Sequence, residues 1–433
     1  MDLLTANDRA GEYPESYYAA SAQPLKKFPP LRGEETCDVC VVGAGYTGLS
    51  TALHLAERGY NVILLEAQRL GFGASGRNGG QVGSGQRVEQ DDLEKMVGLE
   101  HARKLWEMGE ESKSTVRELI AKYDIDCGYK PGVMHTELKP KHLHHTFDYV
   151  EKLQRDYGYN EIEALDSDAL RSAVGTEAYC GGSMDWGAGH LHPLNFALGL
   201  AKACVAAGVR VFEESRVTKV VRGEAARVIT DDGGVTAKFV ALGANGYLGN
   251  LEPQVAARVM PINNFIVATE PLGEDRAREL IRDDVAVADS KFVVNYFRLS
   301  EDNRMLFGGG ESYGFKFPKD IVAKARTPML EIYPQLRDAR IDYAWGGTLG
   351  ITMNRMPDFR CIEPNILSAS GYSGHGVAMA TLAGKLMAET IGGTAERFDI
   401  MANVPTQRFP GGVMMRLPLL ILAMLWFSLR DRM

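Results

Sequence analysis

The stretch from Val39 to Glu66, VCVVGAGYTGLSTALHLAERGYNVILLE, contains the pattern that decides the fold. Its first apolar run is typical of a buried strand, and three glycines follow at once: Gly43, Gly45 and Gly48. Apolar residues then recur at helical spacing until Gly59, which is suited to end a helix in a left-handed conformation. A second apolar run follows, Val62 to Leu65. The stretch predicts one strand-helix-strand unit of about 30 residues.

The spacing G-x-G-x-x-G between a strand and a helix is typical of a dinucleotide-binding turn. Gly43 permits the tight turn, Gly45 lets the backbone approach a pyrophosphate, and Gly48 lets the helix pack on the strand. The helix N-terminus then faces the phosphate charge. Glu66 is placed to bind an adenosine ribose and would repel a 2′-phosphate, which argues against NADP. NAD and FAD remain equally compatible, since both carry an adenosine diphosphate half.

Two more glycine-rich stretches extend this interpretation. RLGFGASGRNGGQVGSGQ, residues 69–86, offers small residues whose backbone amides can approach a long cofactor; a flexible surface loop is the alternative. SASGYSGHGVAMATLAGKLMAETI, residues 368–391, places a glycine-rich turn at the start of a helix. That second positive helix end suits the flavin N1 and C2 carbonyl, where negative charge collects on reduction.

Composition bounds the function classes. The 433 residues suggest two or three domains. A net charge of −8 provides no basic field for nucleic acid. Six scattered cysteines do not form a secreted disulfide scaffold, and the polar N-terminus lacks the features of a secretory signal, so we expect a cytoplasmic protein.

We predict an α/β fold in which a Rossmann-like FAD-binding domain of the glutathione reductase type is interleaved with an α+β substrate domain containing a mainly antiparallel sheet. The predicted FAD-binding domain comprises residues 36–90, 165–250 and 346–400, and the substrate domain residues 91–164 and 251–345. Residues 1–35 form a leader and 401–433 a C-terminal extension. In that extension, Leu417 to Phe427 is an apolar run of eleven residues, too short for the about 20 that span a membrane. It suits a terminal helix packed on the protein itself; contact with a membrane surface or a subunit is the alternative.

The chain resembles the FAD-dependent amine oxidoreductases related to D-amino acid oxidase, and among them the γ-glutamylputrescine oxidases of bacterial polyamine breakdown. The likeness rests on the following segments: SYYAAS, CDVCVVGAGYTGLSTALHLAERG, GFGASGRNGGQ, GAGHLHPLN, GGGESYG, GYSGHG and AERFDIMANVP. It implies oxidation of the primary amine of a γ-glutamylated polyamine, giving an aldehyde and ammonia, with molecular oxygen reoxidising the flavin to yield hydrogen peroxide. The alternative is a dehydrogenase of a secondary amine or amino acid that passes electrons to a quinone or carrier.

The resemblance also implies which residues face the substrate. Tyr296 and Trp345 lie in segments that approach the isoalloxazine ring in the family, and either is equally compatible with an ordinary core position. Arg298 is a candidate partner for the glutamyl carboxylate, with a structural arginine as the alternative. His375, inside GYSGHG, is predicted to contact the flavin rather than only to stabilise the turn.

The motifs and the resemblance together predict a cofactor site formed by Gly43, Ala44, Gly45, Tyr46, Thr47, Gly48, Glu66, Ala67, Gly73, Ala74, Ser75, Gly76, Arg77, Asn78, Gly79, Gly80, Gln81, Val217, Gly243, Ala244, Gly346, Gly371, Ser373, Gly374, His375 and Gly376. Some relatives attach flavin through a cysteine near Trp345 or a histidine near the first glycine unit. Neither residue occurs in GGTLGITMNRMPDF or GASGRNGG, so we expect noncovalent FAD. We predict no metal, because His190 and His192 look like loop residues without further ligands.

Overall fold

A computed structural model describes residues 2–312 and 314–411 of the chain. Its α-helices are α1 (Tyr17–Ser21), α2 (Tyr46–Glu57), α3 (Gln90–Val97), α4 (Leu99–Tyr123), α5 (Pro140–Tyr157), α6 (Ser167–Ala173), α7 (Pro193–Ala206), α8 (Pro253–Ala256), α9 (Glu274–Leu280), α10 (Ile321–Ile332), α11 (Gly376–Ile391) and α12 (Glu396–Ala402). Its strands are β1 (Gly33–Val42), β2 (Val62–Leu65), β3 (Gln81–Val82), β4 (Lys130–Glu137), β5 (Ile162–Leu165), β6 (Gly181–His190), β7 (Arg210–Phe212), β8 (Val217–Val221), β9 (Ala226–Thr230), β10 (Gly233–Leu242), β11 (Met260–Thr269), β12 (Ala286–Asp289), β13 (Tyr296–Leu299), β14 (Met305–Ser312), β15 (Ile341–Ile351), β16 (Asp358–Glu363) and β17 (Ile366–Ser370).

The predicted strand-helix-strand unit is confirmed and lies at the centre of the first sheet. The strand order there is β16-β17-β10-β1-β2-β7, and the hairpin of β8 and β9 joins it along β10. β1 pairs in parallel with both β2 and β10, and β10 pairs in parallel with β17. The carboxyl ends of these strands therefore meet at one edge, where an open α/β sheet binds its ligand.

A second sheet, mainly antiparallel as predicted, has the order β15-β11-β14-β13-β12-β4-β6-β3, with β5 paired to β6. The predicted division of the chain does not follow the two sheets at β3, at β6 or at the end of β15. Residues 165–250 were predicted to belong to the FAD-binding domain, yet β6 pairs with β4 and β5 in the second sheet. Its sequence GGSMDWGAGH contains no β-branched residue, so its strand character comes from pairing with its neighbours.

Helix α11 packs directly on α2, and this contact sets the spacing of the two glycine-rich helix starts. A Cβ at Gly384 would lie 2.5 Å from the Ser50 Cβ, so only glycine allows this approach. The Ser50 hydroxyl donates to the Thr381 carbonyl at 2.6 Å. Leu49 and Leu53 are fully buried in the same layer, where each contributes about 1.5 to 3 kcal/mol of hydrophobic stabilisation.

The predicted leader is part of the folded body. Tyr18 in α1 is completely buried, and Asp8 pairs with the buried Arg77 at 3.0 Å. At the other end, the apolar run from Leu417 to Phe427 lies outside the described residues. Across the described ranges, no helix combines the length and apolarity that crossing a bilayer requires.

Candidate functional site

A cavity of about 1240 Å³ lies at the carboxyl ends of β1, β2 and β10 and extends along the second sheet. Gly43, Glu66 and Gly243 form its wall on the first sheet, and His135 and Asp185 form part of the opposite wall. Small-molecule pockets usually measure about 300 to 1000 Å³. The cavity therefore has room for a long cofactor and a substrate together.

The structure brings most of the predicted cofactor residues to this cavity. Its lining includes Gly43, Gly45, Tyr46, Thr47, Glu66, Ala67, Gly73, Ala74, Ser75, Arg77, Asn78, Gly79, Gln81, Val217, Gly243, Ala244, Ser373, Gly374, His375 and Gly376. The predicted residues that lie beside it without lining it are Ala44, Gly48, Gly76, Gly80, Gly346 and Gly371. Among these, Gly76 is needed for packing, because a Cβ there would lie 2.3 Å from the Gly71 carbonyl oxygen.

The first glycine turn has the geometry that the sequence predicts. Gly43 has a φ of 96°, and a Cβ at Gly48 would lie 1.8 Å from the Gly43 carbonyl oxygen. The N-cap residue of α2 is Gly45, which has no side chain to accept from the N–H groups of the first turn. The Ser75 hydroxyl accepts from the Tyr46 N–H at 3.0 Å instead. A positive helix end and a hydroxyl thus stand together in the cavity wall, an arrangement suited to a phosphate.

Glu66 lies at the end of β2, as predicted. Its carboxylate accepts from the Ala44 N–H at 2.7 Å and from the Gln68 N–H at 2.9 Å. Burial raises the pKa of Glu66 from 4.5 to about 7, although these backbone hydrogen bonds favour the ionised form. The side chain therefore holds the glycine turn against β2 while it faces the cavity.

The GYSGHG turn, residues 371–376, forms the second glycine-rich helix start in the cavity wall. Gly374 has a φ of 95° and Ser373 a φ of 52°, and α11 begins directly afterwards with His375 as its N-cap. The His375 Nε2 lies 3.2 Å from the Gly85 carbonyl oxygen. Burial, followed by the charge of Arg87, lowers the pKa of His375 from 6.5 to about 4, so its imidazole is neutral at neutral pH.

Tyr296, which the resemblance places near the cofactor, lines the cavity. Its hydroxyl donates to the Asn264 Oδ1 at 2.5 Å. Its ring leaves no space for a side chain at two neighbouring glycines: a Cβ at Gly79 would lie 2.7 Å from the ring and a Cβ at Gly308 2.1 Å from it. The aromatic face is therefore held rigidly beside the 77–81 segment.

Arg298 and Trp345 do not line the cavity, which corrects the roles predicted for them. The Arg298 guanidinium is buried and donates to backbone carbonyls, among them Gly79 at 2.9 Å and Leu191 at 3.0 Å. The Trp345 indole N–H donates to the Arg77 carbonyl at 3.1 Å. Both side chains therefore hold the backbone of the 77–79 segment, since each buried donor needs an acceptor and finds one there.

The loop prediction is wrong for His190, which is the last residue of a strand, and both His190 and His192 form hydrogen bonds that fix the local structure. His190 ends β6 and its Nε2 lies 2.8 Å from the Asp284 carbonyl oxygen. His192 is the N-cap of α7, and its Nδ1 accepts from the Asn195 N–H at 3.1 Å. Within residues 2–312 and 314–411, no group of three or more His, Cys, Asp or Glu side chains is arranged to hold a metal ion.

Several lining residues were missed by the sequence predictions. Asn245 lies in the turn that follows β10, two residues after Gly243, and its side chain accepts from the Gly371 N–H at 2.9 Å. The others include Ser84, Arg87, Glu89, His135 and Asp185. The continuing glycine run GQVGSGQ was a signal for the first of these, whereas His135 and Asp185 face the cavity through strand pairing that no local motif reveals.

Comparison with known proteins identifies the family of the chain. The family described as FAD dependent oxidoreductase matches residues 38–390. The chain is 45% identical to the γ-glutamylputrescine oxidoreductase of Escherichia coli K12, covering 97% of this chain and 99% of that protein. It is 41% identical to the probable oxidoreductase OrdL of Rhizobium meliloti, covering 96% of this chain and 97% of that protein.

Solved structures agree in fold. Glycine oxidase from Geobacillus kaustophilus superposes with a TM-score of 0.75 at 20% identity, covering 87% of this chain and all of that chain. L-proline dehydrogenase from P. horikoshii gives a TM-score of 0.68 at 20% identity, covering 91% of this chain and 99% of that chain. Since the family match extends over most of the 433 residues and ends within α11, the chain belongs to the FAD-dependent oxidoreductase family.

Proposed function

We propose that this chain is an oxidase that deaminates γ-glutamylated putrescine, or a related polyamine, to the aldehyde in polyamine breakdown. Ammonia is released, and molecular oxygen is reduced to hydrogen peroxide. The extended similarity to the γ-glutamylputrescine oxidoreductase of E. coli supports this substrate class. The observation that carries the proposal is that Tyr296 and a neutral His375 share one large cavity with both glycine-rich helix starts.

The residues of the cavity fit FAD. The start of α2 and the Ser75 hydroxyl suit its pyrophosphate, and Glu66 suits its adenosine ribose. In the part of the chain that the structure describes, the buried Arg77 Nη2 has no hydrogen-bond partner, although Arg77 lines the cavity. Such an orphaned donor is expected where a ligand supplies the acceptor.

We infer that FAD is held without a covalent bond. Among residues 2–312 and 314–411, no cysteine lines the cavity, and the lining histidines are His135 and His375, neither of which lies near the first glycine turn in sequence. All six cysteines are free thiols, which also suits the proposed cytoplasmic location. Acid precipitation tests the attachment: the yellow flavin should remain in the supernatant rather than in the protein pellet.

When bound, FAD supplies the acceptor for the two electrons of the C–H bond beside the amine nitrogen. The chain itself must present that amine in its neutral form. A buried cavity disfavours an ammonium ion because the charge loses its hydration. The neutral imidazole of His375 adds no positive charge at neutral pH, and the Tyr296 ring contributes an apolar wall. The rigid positions of both side chains orient the substrate and exclude water.

Anaerobic mixing followed by admission of air tests the proposal. γ-Glutamylputrescine should bleach the flavin absorbance, and air should restore it with one hydrogen peroxide per turnover. Bleaching that persists in air but is reversed by a quinone would identify a dehydrogenase instead. Preference for sarcosine or D-amino acids over γ-glutamylated putrescine, cadaverine and spermidine would overturn the substrate assignment.

A further inference from the structure

A charged part of the cavity wall follows the glycine run at residues 83–85. Arg87 and Glu89 are two residues apart in the irregular segment before α3, and both line the cavity. Both side chains keep exposed surface where they line the cavity, although protein atoms surround them on their other sides. The same part of the wall contains Arg355, whose guanidinium lies 5.6 Å from the centre of the Phe292 ring. No step of the proposed reaction yet uses these charges.

Arg87 has unused hydrogen-bonding capacity. A guanidinium carries five N–H donors. Over residues 2–312 and 314–411, the one hydrogen bond of the Arg87 side chain runs from Nε to the Ser373 carbonyl at 3.3 Å, and Arg87 forms no ion pair. Burial and the nearby positive charge of Arg355 lower its pKa, yet an arginine remains protonated at neutral pH. A carboxylate would satisfy both the free donors and the excess positive charge.

Glu89 provides the opposite charge next to this arginine. Its Oε2 lies 3.6 Å from the His145 Nε2, a contact that is charged only when the histidine is protonated. Burial raises the pKa of Glu89; His145 opposes the shift, and the nearby carboxylates of Asp92 and Asp91 add to it. An ammonium group beside Glu89 would relieve this crowding of negative charge.

We propose that Arg87 and Glu89 form a subsite for a zwitterion: Arg87 binds the α-carboxylate and Glu89 the α-ammonium of the γ-glutamyl group. This inference rests on the proposed function and names the residues that select its substrate. A free diamine carries a second ammonium at its far end, which Arg87 and Arg355 repel. Glutamylation replaces that cation by a group whose two charges match the wall. Arg298, the arginine predicted for this task, is unavailable because its donors are bound to backbone carbonyls.

Four amides of putrescine separate the two contacts. γ-Glutamylputrescine carries both charges, N-glutarylputrescine only the carboxylate, N-(4-aminobutyryl)putrescine only the ammonium, and N-acetylputrescine neither. The variant R87Q should lower kcat/KM roughly 10- to 100-fold for the two amides with a carboxylate and leave N-acetylputrescine within about threefold of wild type. E89Q should act in the same way on the two amides with an ammonium. R87K keeps the positive charge but lacks the planar guanidinium, so its kcat/KM for the two amides with a carboxylate should lie between those of wild type and R87Q.

Matched controls are R155Q and D156N, an adjacent ion pair on α5 that does not line the cavity. Flavin content and the flavin absorbance spectrum verify that each variant is folded holoenzyme. Equal losses on all four amides, N-acetylputrescine included, would overturn the subsite, because a merely structural role affects every substrate alike.

Binding of γ-glutamylethylamide, which keeps the γ-glutamyl group but lacks the terminal primary amine of putrescine, distinguishes this inference from the proposed function. Its binding is followed by the change in flavin absorbance. One outcome is that R87Q weakens this binding at least tenfold while the wild-type enzyme oxidises none of the four amides. That outcome would support the subsite and refute the proposed reaction. Oxidation of γ-glutamylputrescine that neither R87Q nor E89Q slows would support the reaction and refute the subsite.

Discussion

The Thr47 Oγ1 and the Tyr372 hydroxyl oxygen lie 2.7 Å apart and are both buried. Thr47 is in the first turn of α2, and Tyr372 belongs to the GYSGHG turn before α11. The hydrogen bond therefore joins the two helix starts that face the cavity, although the residues are 325 positions apart in the chain. It fixes the distance between the two helix starts, which the proposed function assigns to one FAD molecule.

Removal of this bond should loosen the cofactor site. Y372F deletes one hydroxyl and leaves the Thr47 hydroxyl unpaired, so we expect a loss of about 1 kcal/mol in the free energy of unfolding. FAD affinity should fall several-fold, measured by fluorescence of the released flavin. Thr47→Val in the Y372F background should add little further, because the pair acts as a unit. A further loss of about 1 kcal/mol in the double variant would show that the two hydroxyls do not act as a pair.

Gly48 should not tolerate alanine. The added Cβ would lie 1.8 Å from the Gly43 carbonyl oxygen, a backbone atom that cannot move without opening the glycine turn. We expect G48A to be purified largely without FAD, as judged by the ratio of absorbance at flavin and protein wavelengths. G223A is the matched control, since the nearest atom to its Cβ lies 3.4 Å away. Full flavin content in G48A would refute the close approach.

Glu66 should make FAD binding depend on pH. Its pKa is raised from 4.5 to about 7 in the folded chain, so the FAD-free protein binds more protons than the unfolded chain between these values. Its free energy of unfolding should therefore decrease as pH rises from 4.5 to 7, by up to about 3 kcal/mol from this group. E66Q should remove that decrease in urea denaturation curves.

The ionised form of Glu66 is the better acceptor for ribose hydroxyls, so FAD affinity should increase with pH until about 7 and then level off. E66Q should bind FAD more weakly and without this dependence. The exposed Glu100 on α4 provides the control, because E100Q alters a surface ion pair with Lys104 and nothing in the cavity. An unchanged pH profile in E66Q would assign the dependence to another group.

Arg298 should affect the binding of FAD rather than the binding of the substrate carboxylate. R298Q leaves the carbonyls of Gly79 and Leu191 without their donors, so we expect a destabilisation of about 2 to 4 kcal/mol and weaker FAD binding. After saturation with FAD, the KM for γ-glutamylputrescine should stay near the wild-type value. A large rise in KM at full flavin occupancy would restore the carboxylate-binding role.

The nucleotide half of the site could be predicted from sequence because its physical requirements are local. The turn needs a glycine at residue 43, where φ is 96°, and an acid directly follows β2. Both residues can be recognised in the sequence by their fixed spacing. The GYSGHG turn is equally local, since it must precede a helix. Trp345 and Arg298 were misplaced because their distance from the cavity depends on how the strands pair across the second sheet. Register and face are properties of that sheet, not of either segment alone.

The sequence by itself determined the strand-turn-helix units and the position of the acid at the end of β2, since short-range sterics and backbone hydrogen bonding dictate both, and its motifs indicated the family to which the chain belongs. The tertiary structure alone decided that Arg87 and Glu89 face the cavity while Arg298 is enclosed. Whether an arginine is free to bind a ligand depends on which backbone carbonyls surround it, and for Arg298 one of these, at Gly79, is 219 residues away. Only folding brings such groups together.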